Sequence, residues 1–166
     1  AACFNAPVVE LLSAFRLRQH RLLARLGPDL LADPPDLDEA VRRARYRGDA
    51  MIGDVVMAQD VACGIGNVYK SETLFLERLD PFSPVGAHSD ERLRGVFDRA
   101  QALMRENLRG FPRATRHAPG GSRYWVYGRS GEPCFACGAV IEMRRQGEAG
   151  RSTYFCPACQ GPPRSG

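Results

Sequence analysis

The sequence predicts a mainly α-helical fold that ends in a small β zinc ribbon. Three observations predict this fold: two Cys-x2-Cys pairs near the end of the chain, helical spacing of apolar residues between residues 36 and 108, and a glycine-rich turn that leads directly into a helix. With 166 residues, of which 44% are hydrophobic, the chain can form one compact domain or two small ones.

The two cysteine pairs have the spacing of a four-thiolate zinc site. Cys134 and Cys137 form the first pair, and Cys156 and Cys159 form the second after an eighteen-residue gap. A two-residue gap lets two thiolates from one tight turn reach the same ion, and Gly138 can take the positive φ that such a turn needs. Two disulfides in a secreted domain, or a redox-active pair, are the alternatives. The charged and aliphatic composition is typical of a cytosolic protein with reduced thiols, which favours one structural Zn²⁺.

The residues between the cysteine pairs predict a β-hairpin. Residues 139–146 and 151–155 flank a tip at 147–150, which begins and ends with glycine. Residues 122–127 alternate toward a further strand. Packing over the ribbon's small core is favoured over stacking on bases for the nearby aromatic residues Tyr124, Trp125 and Tyr127.

The positive charge is concentrated in the last third of the chain. The net charge is +4, but residues 1–110 contain fifteen Lys and Arg against sixteen Asp and Glu, whereas residues 111–166 contain eight against three. The net charges of these segments are therefore −1 and +5. Lys70 is the only lysine, and arginine suits phosphate recognition, although a GC-rich genome has the same bias. No apolar run approaches the length of a membrane span.

The opening residues read as the end of a separate unit. Residues 1–10 are short, apolar and interrupted by Pro7, as expected for a sheet strand entered in the middle. The Gly27-Pro28-Asp29 and Asp33-Pro34-Pro35-Asp36 sequences then indicate a linker. We therefore expect residues 1–35 to be the last strand of a missing N-terminal domain plus a linker.

Apolar spacing then predicts four helices, over residues 37–44, about 50–59, 68–79 and 89–108. The last is the longest, and Ser89 suits its N-cap. Its apolar stripe consists of Leu93, Val96, Phe97, Ala100, Leu103, Met104 and Leu108. The arginines on the same helix favour a solvated face over a binding surface.

The turn before the third helix suits an anion. Gly64 and Gly66 allow close approach of the backbone, and amides at a helix start, together with the helix dipole, attract negative charge. Asn67 fits the cap and offers an amide donor, while Tyr69 and Lys70 add a hydroxyl and a cation facing the ligand. A DNA phosphate would fit this turn. Plain packing of two buried helices is the alternative, because a lone Gly-x-Gly turn is a weak signal.

These motifs together resemble the C-terminal half of the formamidopyrimidine-DNA glycosylase and endonuclease VIII family. The resemblance rests on the sequence from Val61 to Glu72, on the sequence from Val126 to Cys134, and on the second cysteine pair. The opening Cys3-Phe4-Asn5 and the Tyr124–Tyr127 stretch look closer to the endonuclease VIII branch, which acts mainly on oxidised pyrimidines. The resemblance implies a helix-two-turn-helix DNA-binding domain at 36–115 and a zinc-finger β-ribbon at 116–166.

The resemblance also implies which residues bind DNA. Asn67 matches the asparagine that holds a phosphate flanking the lesion, Tyr69 matches a backbone-contacting position of some members, and Arg151 matches the finger arginine near the extruded nucleotide. Gly64, Gly66, Lys70 and Arg129 lie within or beside the same motifs and complete the expected DNA-binding set.

The implied activity is that of a bifunctional DNA glycosylase and AP lyase in base-excision repair. The family's catalytic Pro-Glu start belongs to a β-sandwich domain, and this chain starts with Ala1-Ala2. We therefore expect no catalytic residue in this chain, no excision by the chain alone, and weak binding of double-stranded damaged DNA as a monomer. The expected location is the bacterial cytoplasm, at the nucleoid. The alternatives are a free-standing DNA-binding or damage-sensing protein and a zinc ribbon that binds only other proteins.

Overall fold

A computed structural model describes residues 10–13, 15–16, 19–21, 23–108 and 112–161. A mainly helical region precedes a β-hairpin with four clustered cysteines, which confirms the predicted fold class. The elements are α1 (Leu37–Arg45), α2 (Ile52–Val55), α3 (Asn67–Leu76), α4 (Asp90–Glu106), β1 (Glu142–Gln146), β2 (Arg151–Phe155) and α5 (Pro157–Gln160). The strand predicted within residues 1–10 lies outside the described residues, apart from its last position.

Helices α1 and α4 form where caps and apolar spacing agree. The Asp36 carboxylate accepts a hydrogen bond from the Glu39 amide at 2.9 Å, and the Ser89 hydroxyl accepts one from the Arg92 amide at 3.3 Å. The apolar faces of both helices are buried in one core, as predicted. Leu108 is the exception, because α4 ends at Glu106 and the Leu108 side chain is 66% exposed.

Helix α2 is much shorter than the predicted 50–59 helix. The amides of Ile52 and Gly53 donate to the carbonyls of Ser83 and Pro81, at 2.9 Å each, which anchors the start of α2 to a distant loop. The chain leaves the helix after Val55 and turns toward the linker, where the Gln59 carbonyl accepts a hydrogen bond from the Gly27 amide. These tertiary hydrogen bonds fix the start of α2 and the position of Gln59, and the helix between them has four residues.

Helix α3 ends three residues earlier than predicted. Arg78 adopts a left-handed conformation with φ 54°, and the Leu79 amide donates back to the Leu74 carbonyl at 2.9 Å. This reverse turn satisfies a terminal carbonyl and stops the helix. Between its ends, α3 is buried at every residue from Tyr69 to Phe75, because it packs against α4 and β2. Helix α3 thus joins the helical region to the ribbon.

The hairpin pairs β1 with β2 in antiparallel register, from Glu142 opposite Phe155 to Gln146 opposite Arg151. Its first strand starts later than the predicted residue 139. The ribbon core consists of Val126, Ile141, Phe155, Cys134 and Cys156, and Phe75 of α3 completes it. A domain this small buries little apolar surface by itself, so the helical region and the metal must both stabilise it.

Residues 122–127 do not form the predicted strand. The backbone amides of residues 125–127 donate to a side chain of α3 instead of pairing with a neighbouring strand. The nearby aromatic rings do cover the ribbon core, since Trp125 stacks on Phe75 at 5.8 Å and Tyr127 meets Tyr154 edge-on at 5.1 Å. Within the described residues, every helix is too short or too polar to cross a lipid bilayer.

Candidate zinc centre and nucleic-acid interface

Two tight turns bring the four cysteines together. The sulfur atoms of Cys134, Cys137, Cys156 and Cys159 all lie within 4.8 Å of one another. The first turn closes through a hydrogen bond from the Gly138 amide to the Cys134 carbonyl at 2.9 Å, and Gly138 has the positive φ, 78°, that its position predicts. The second pair lies at the end of β2 and within α5.

The sulfur spacing fits one tetrahedral zinc ion. Four sulfurs at about 2.3 Å from a central zinc are separated by about 3.8 Å. The Sγ atoms of Cys134 and Cys159 are 4.0 Å apart, and those of Cys137 and Cys156 are 3.5 Å apart. Four thiolates fill the coordination shell, so the zinc has a structural role and offers no position to a substrate.

The turn before α3 is built as the sequence predicts, but its cap is different. Gly64 has φ 111°, a backbone conformation that favours glycine, and a Cβ added there would displace only the terminal methyl group of Met104. Gly66 is the N-cap, in an extended conformation, and Asn67 is the first residue of the helix. The expectation that Asn67 caps α3 is therefore wrong, and its side chain is available for other contacts.

Asn67 joins the turn to the hairpin. Its Nδ2 donates to the Ser152 hydroxyl at 3.0 Å, while its Oδ1 is buried and has no hydrogen-bond partner among the described residues. Arg151 directly precedes Ser152 at the start of β2, is exposed, and makes no salt bridge within the described part of the chain. Asn67 therefore contacts the residue next to the predicted finger arginine, and the charge of Arg151 is close enough to α3 to act on Lys70.

Lys70 does not face solvent, contrary to expectation. Only 1% of the residue is exposed, and its Nζ donates to Thr153 Oγ1 at 2.7 Å and to the Ser152 carbonyl at 3.2 Å. Burial lowers the Lys70 pKa to about 8, an effect that Asp54 opposes and Arg151 reinforces. The side chain follows α3 into the interface with the hairpin, where its amine is inaccessible to a phosphate.

Arg129 is also buried, with 3% exposure, although the motif had placed it among the DNA-binding residues. Its guanidinium donates to the carboxylate of Glu132 and to the carbonyls of Trp125 and Pro133, and it lies 3.5 Å from the Phe135 ring centroid. These contacts brace the first cysteine turn. The guanidinium of Arg129 is therefore enclosed by these partners and is not presented to solvent.

Tyr69 is largely buried, with 7% exposure, beneath the exposed Arg113. The Arg113 guanidinium lies 5.1 Å from the tyrosine ring centroid, and burial raises the Tyr69 pKa. The surface group above Tyr69 is therefore the guanidinium of Arg113, which packs on the tyrosine ring. This pairing is not visible in the sequence, because the neighbours of Arg113 do not indicate a contact with Tyr69.

Glu72 is the important residue that sequence reasoning missed. It is fully buried, and its carboxylate accepts hydrogen bonds from the amides of Trp125, Val126 and Tyr127, at 2.8, 2.9 and 2.8 Å, and from the Thr115 hydroxyl. A buried charge is tolerated when hydrogen bonds surround it. Glu72 thereby fixes the segment that enters the zinc ribbon onto α3.

Cys63 lies outside the metal cluster. Its thiol donates to the carbonyls of Gly27 and Gln59, at 3.3 Å each, which fits the packing role expected by default. Cys3, the other cysteine outside the pairs, lies beyond the described residues.

Two protein-family profiles match the chain. The formamidopyrimidine-DNA glycosylase H2TH domain matches residues 26–116, and the zinc finger found in FPG and IleRS matches residues 131–161. The first match covers more than half of the chain and includes α1 to α4. The second includes all four clustered cysteines and the hairpin.

Individual proteins are similar over nearly the same range. The chain is 36% identical over 167 residues to a probable endonuclease 8 2 of Streptomyces coelicolor, covering 98% of this chain and 59% of that protein. It is 40% identical over 141 residues to the DNA-(apurinic or apyrimidinic site) lyase Nei2 of Mycolicibacterium smegmatis, covering 83% and 54%.

A solved structure has the same fold. Lactococcus lactis formamidopyrimidine-DNA glycosylase, non-covalently bound to DNA containing an AP site, matches with a TM-score of 0.73 and 25% identity, covering 91% of this chain and 55% of that one. The chain thus spans just over half the length of the relatives it matches.

Proposed function

The chain belongs to the formamidopyrimidine-DNA glycosylase and endonuclease VIII family, and we propose that it is the DNA-binding half of a bacterial base-excision glycosylase and AP lyase. The proposed partner is a damaged DNA duplex, and the proposed lesions are oxidised bases, chiefly pyrimidines. The similarity to endonuclease 8 proteins supports the pyrimidine preference, because the endonuclease VIII branch acts mainly on oxidised pyrimidines.

The contact between Asn67 and Ser152 carries the proposal. It brings the amide-rich start of α3 next to the residue that follows Arg151, and the charge of Arg151 acts on Lys70 of the same helix, which supports a neutral amide donor and a guanidinium near each other. Helix N-termini attract phosphate through their unpaired amides and dipole, and arginine binds phosphate through a planar pair of donors. Two such groups from separate elements suit neighbouring phosphates of one backbone.

The charge distribution also supports DNA as the partner. The ribbon and its approach carry eight arginines against three glutamates, a net charge of +5 over residues 111–166. Arg113 adds an exposed cation above Tyr69, in the first turn of α3. A basic ribbon beside an anion-binding turn favours a polyanion over a small apolar ligand.

The buried position of Lys70 bears on catalysis by the chain alone. A Schiff-base lyase needs an accessible amine, and the only lysine in the sequence is enclosed and hydrogen-bonded. We therefore propose that the 166-residue chain binds a duplex containing thymine glycol without releasing the base or cutting the strand. Base release or strand cleavage by the purified chain would contradict this part of the proposal, and its loss in Lys70→Met would identify the Lys70 amine as the nucleophile.

Fluorescence anisotropy with a labelled duplex tests the phosphate grip, by which we mean the proposed phosphate contacts of Asn67 and Arg151. We expect Asn67→Ala and Arg151→Ala each to weaken binding by about fivefold to thirtyfold, the range that one or two kcal/mol of a lost phosphate contact produces. Arg94→Ala is the matched control, because it removes the same charge from α4, where Arg94 pairs with Asp38 of α1. Unchanged affinity in both Asn67→Ala and Arg151→Ala would rule out the proposed phosphate grip.

A further inference from the structure

A buried polar chain connects α3 to the tip end of the hairpin. The Lys70 amine donates to Thr153 Oγ1 at 2.7 Å, the Thr153 hydroxyl donates to Gln146 Oε1 at 2.9 Å, and Gln146 Nε2 donates to the Pro81 carbonyl at 2.8 Å. All three side chains are buried, with exposures of 1% for Lys70, 0% for Thr153 and 4% for Gln146. One continuous set of hydrogen bonds therefore spans three elements.

This chain holds both strands where they meet the turn. Gln146 is the last residue of β1 and pairs with Arg151, the first residue of β2, while the Lys70 amine also reaches the Ser152 carbonyl at 3.2 Å. Gln146 and Ser152, the two positions held by these hydrogen bonds, thus lie on either side of the tip, and Ser152 directly follows Arg151. Without Lys70 and Gln146, the tip end of the hairpin would lose its buried hydrogen bonds to α3 and to the Pro81 carbonyl, and a two-stranded hairpin is only marginally stable by itself.

The tip also rests against α2. A Cβ added to Gly147 would lie 2.6 Å from Asp54 Oδ1, which shows how closely the turn approaches that carboxylate. The Asp54 charge attracts the Lys70 ammonium and offsets part of its burial. The hairpin tip is therefore packed against α2 and hydrogen-bonded to α3.

Burial of a lysine side chain is less favourable in free energy than burial of an apolar one. Burying an ammonium costs several kcal/mol unless hydrogen bonds and charges compensate, and an apolar side chain of similar length would pack at lower cost. A buried polar network is directional, however, and fixes the relative position of the groups it joins. The groups joined here are the helix that carries Asn67 and the strand that carries Arg151.

We propose that Lys70 is a positioning residue that sets the distance between Asn67 and Arg151, so that the two phosphate-directed groups act as one clamp of fixed span. The inference rests on the proposed function, because it assigns a purpose to the spacing of the two DNA contacts. Thr153 and Gln146 transmit the constraint, and Lys70 itself does not touch DNA.

A double-mutant cycle tests this positioning role by anisotropy. In the wild-type background we expect Arg151→Ala to weaken duplex binding about tenfold, whereas in the Lys70→Met and Thr153→Val backgrounds it should weaken binding less than about twofold. Thr73→Val is the matched control: Thr73 is buried on the same helix, and its hydroxyl has no partner among the described residues. The tenfold effect of Arg151→Ala should persist in that background.

The outcomes separate the two proposals. If Arg151→Ala has no effect in the wild-type background, the clamp is overturned, and the proposed phosphate grip falls with it if Asn67→Ala also has no effect. A full Arg151 effect in both the Lys70→Met and Thr153→Val backgrounds overturns the clamp and leaves the grip intact. One bound zinc per chain confirms that each variant keeps its ribbon. If Lys70→Met loses zinc, the isosteric Thr153→Val decides the result.

Discussion

Replacing Glu72 with glutamine should destabilise the protein far more than its conservative size suggests. The wild-type carboxylate accepts four hydrogen bonds in a fully buried position, three of them from the successive backbone amides of residues 125–127. A glutamine side chain of the same shape has one acceptor oxygen and one NH₂ group. The NH₂ group must then face donors that it cannot satisfy.

The hydrogen bonds set the size of the effect. If the remaining oxygen keeps the amides of Val126 and Tyr127, the Trp125 amide faces the NH₂ group, and a buried unpaired donor costs about 1–3 kcal/mol. The two surviving bonds lose their charge assistance, which costs about 1 kcal/mol each. Relief of the buried charge offsets part of this, so we expect a loss of about 3 kcal/mol in the free energy of unfolding.

Urea unfolding followed by tryptophan fluorescence measures this loss directly. Trp125 is the only tryptophan, and its amide is one of the groups that Glu72 holds. The control is Glu148→Gln at the exposed hairpin tip, which should change the unfolding free energy by less than about 0.5 kcal/mol. If Glu72→Gln also stays within that range, the carboxylate does not fix the segment onto α3.

Three further changes test the site. Cys137→Ser should reduce bound zinc from one ion per chain to none and melt the ribbon, measured by metal analysis and thermal unfolding; retained zinc would contradict the four-thiolate site. Gly64→Ala should cost more than about 1 kcal/mol because of its φ of 111°, whereas Gly66→Ala, with a negative φ and open space around it, should cost less than about 1 kcal/mol; equal costs in urea unfolding would contradict this reasoning. Since the folded Lys70 pKa is about 8 and its ordinary value is 10.5, the unfolded chain binds more protons between these pH values. Wild-type stability relative to Lys70→Met should therefore rise by about 1–3 kcal/mol from pH 8 to 10.5, and a flat difference would contradict the burial of the amine.

Short-range signals predicted much of the fold. The zinc site, the hairpin, α1 and α4 follow from cysteine spacing, glycines at turns, capping residues and apolar periodicity, all of which act within a few residues of chain. These features depend little on the rest of the protein. Their prediction from sequence therefore needed no knowledge of tertiary contacts.

Long-range contacts explain what the sequence did not reveal. Lys70 and Arg129 were expected on the surface because they are cations within DNA-binding motifs, but their partners lie on the hairpin and around the cysteine turn. The alternating residues 122–127 looked like a strand because nothing in their own sequence indicates that the carboxylate of Glu72 binds their amides. A charge is visible in a sequence, whereas the group that neutralises it is not.

The salt dependence of duplex binding tests the central claim most directly. For a phosphate grip, the logarithm of the association constant falls linearly with the logarithm of salt concentration, with a slope of about −0.9 for each phosphate neutralised. We predict that Arg151→Ala makes this slope shallower by about one, and that Arg94→Ala leaves it unchanged. A slope near zero for the wild-type chain, or equal slopes for the two variants, would contradict the assignment of this chain as a DNA-gripping module.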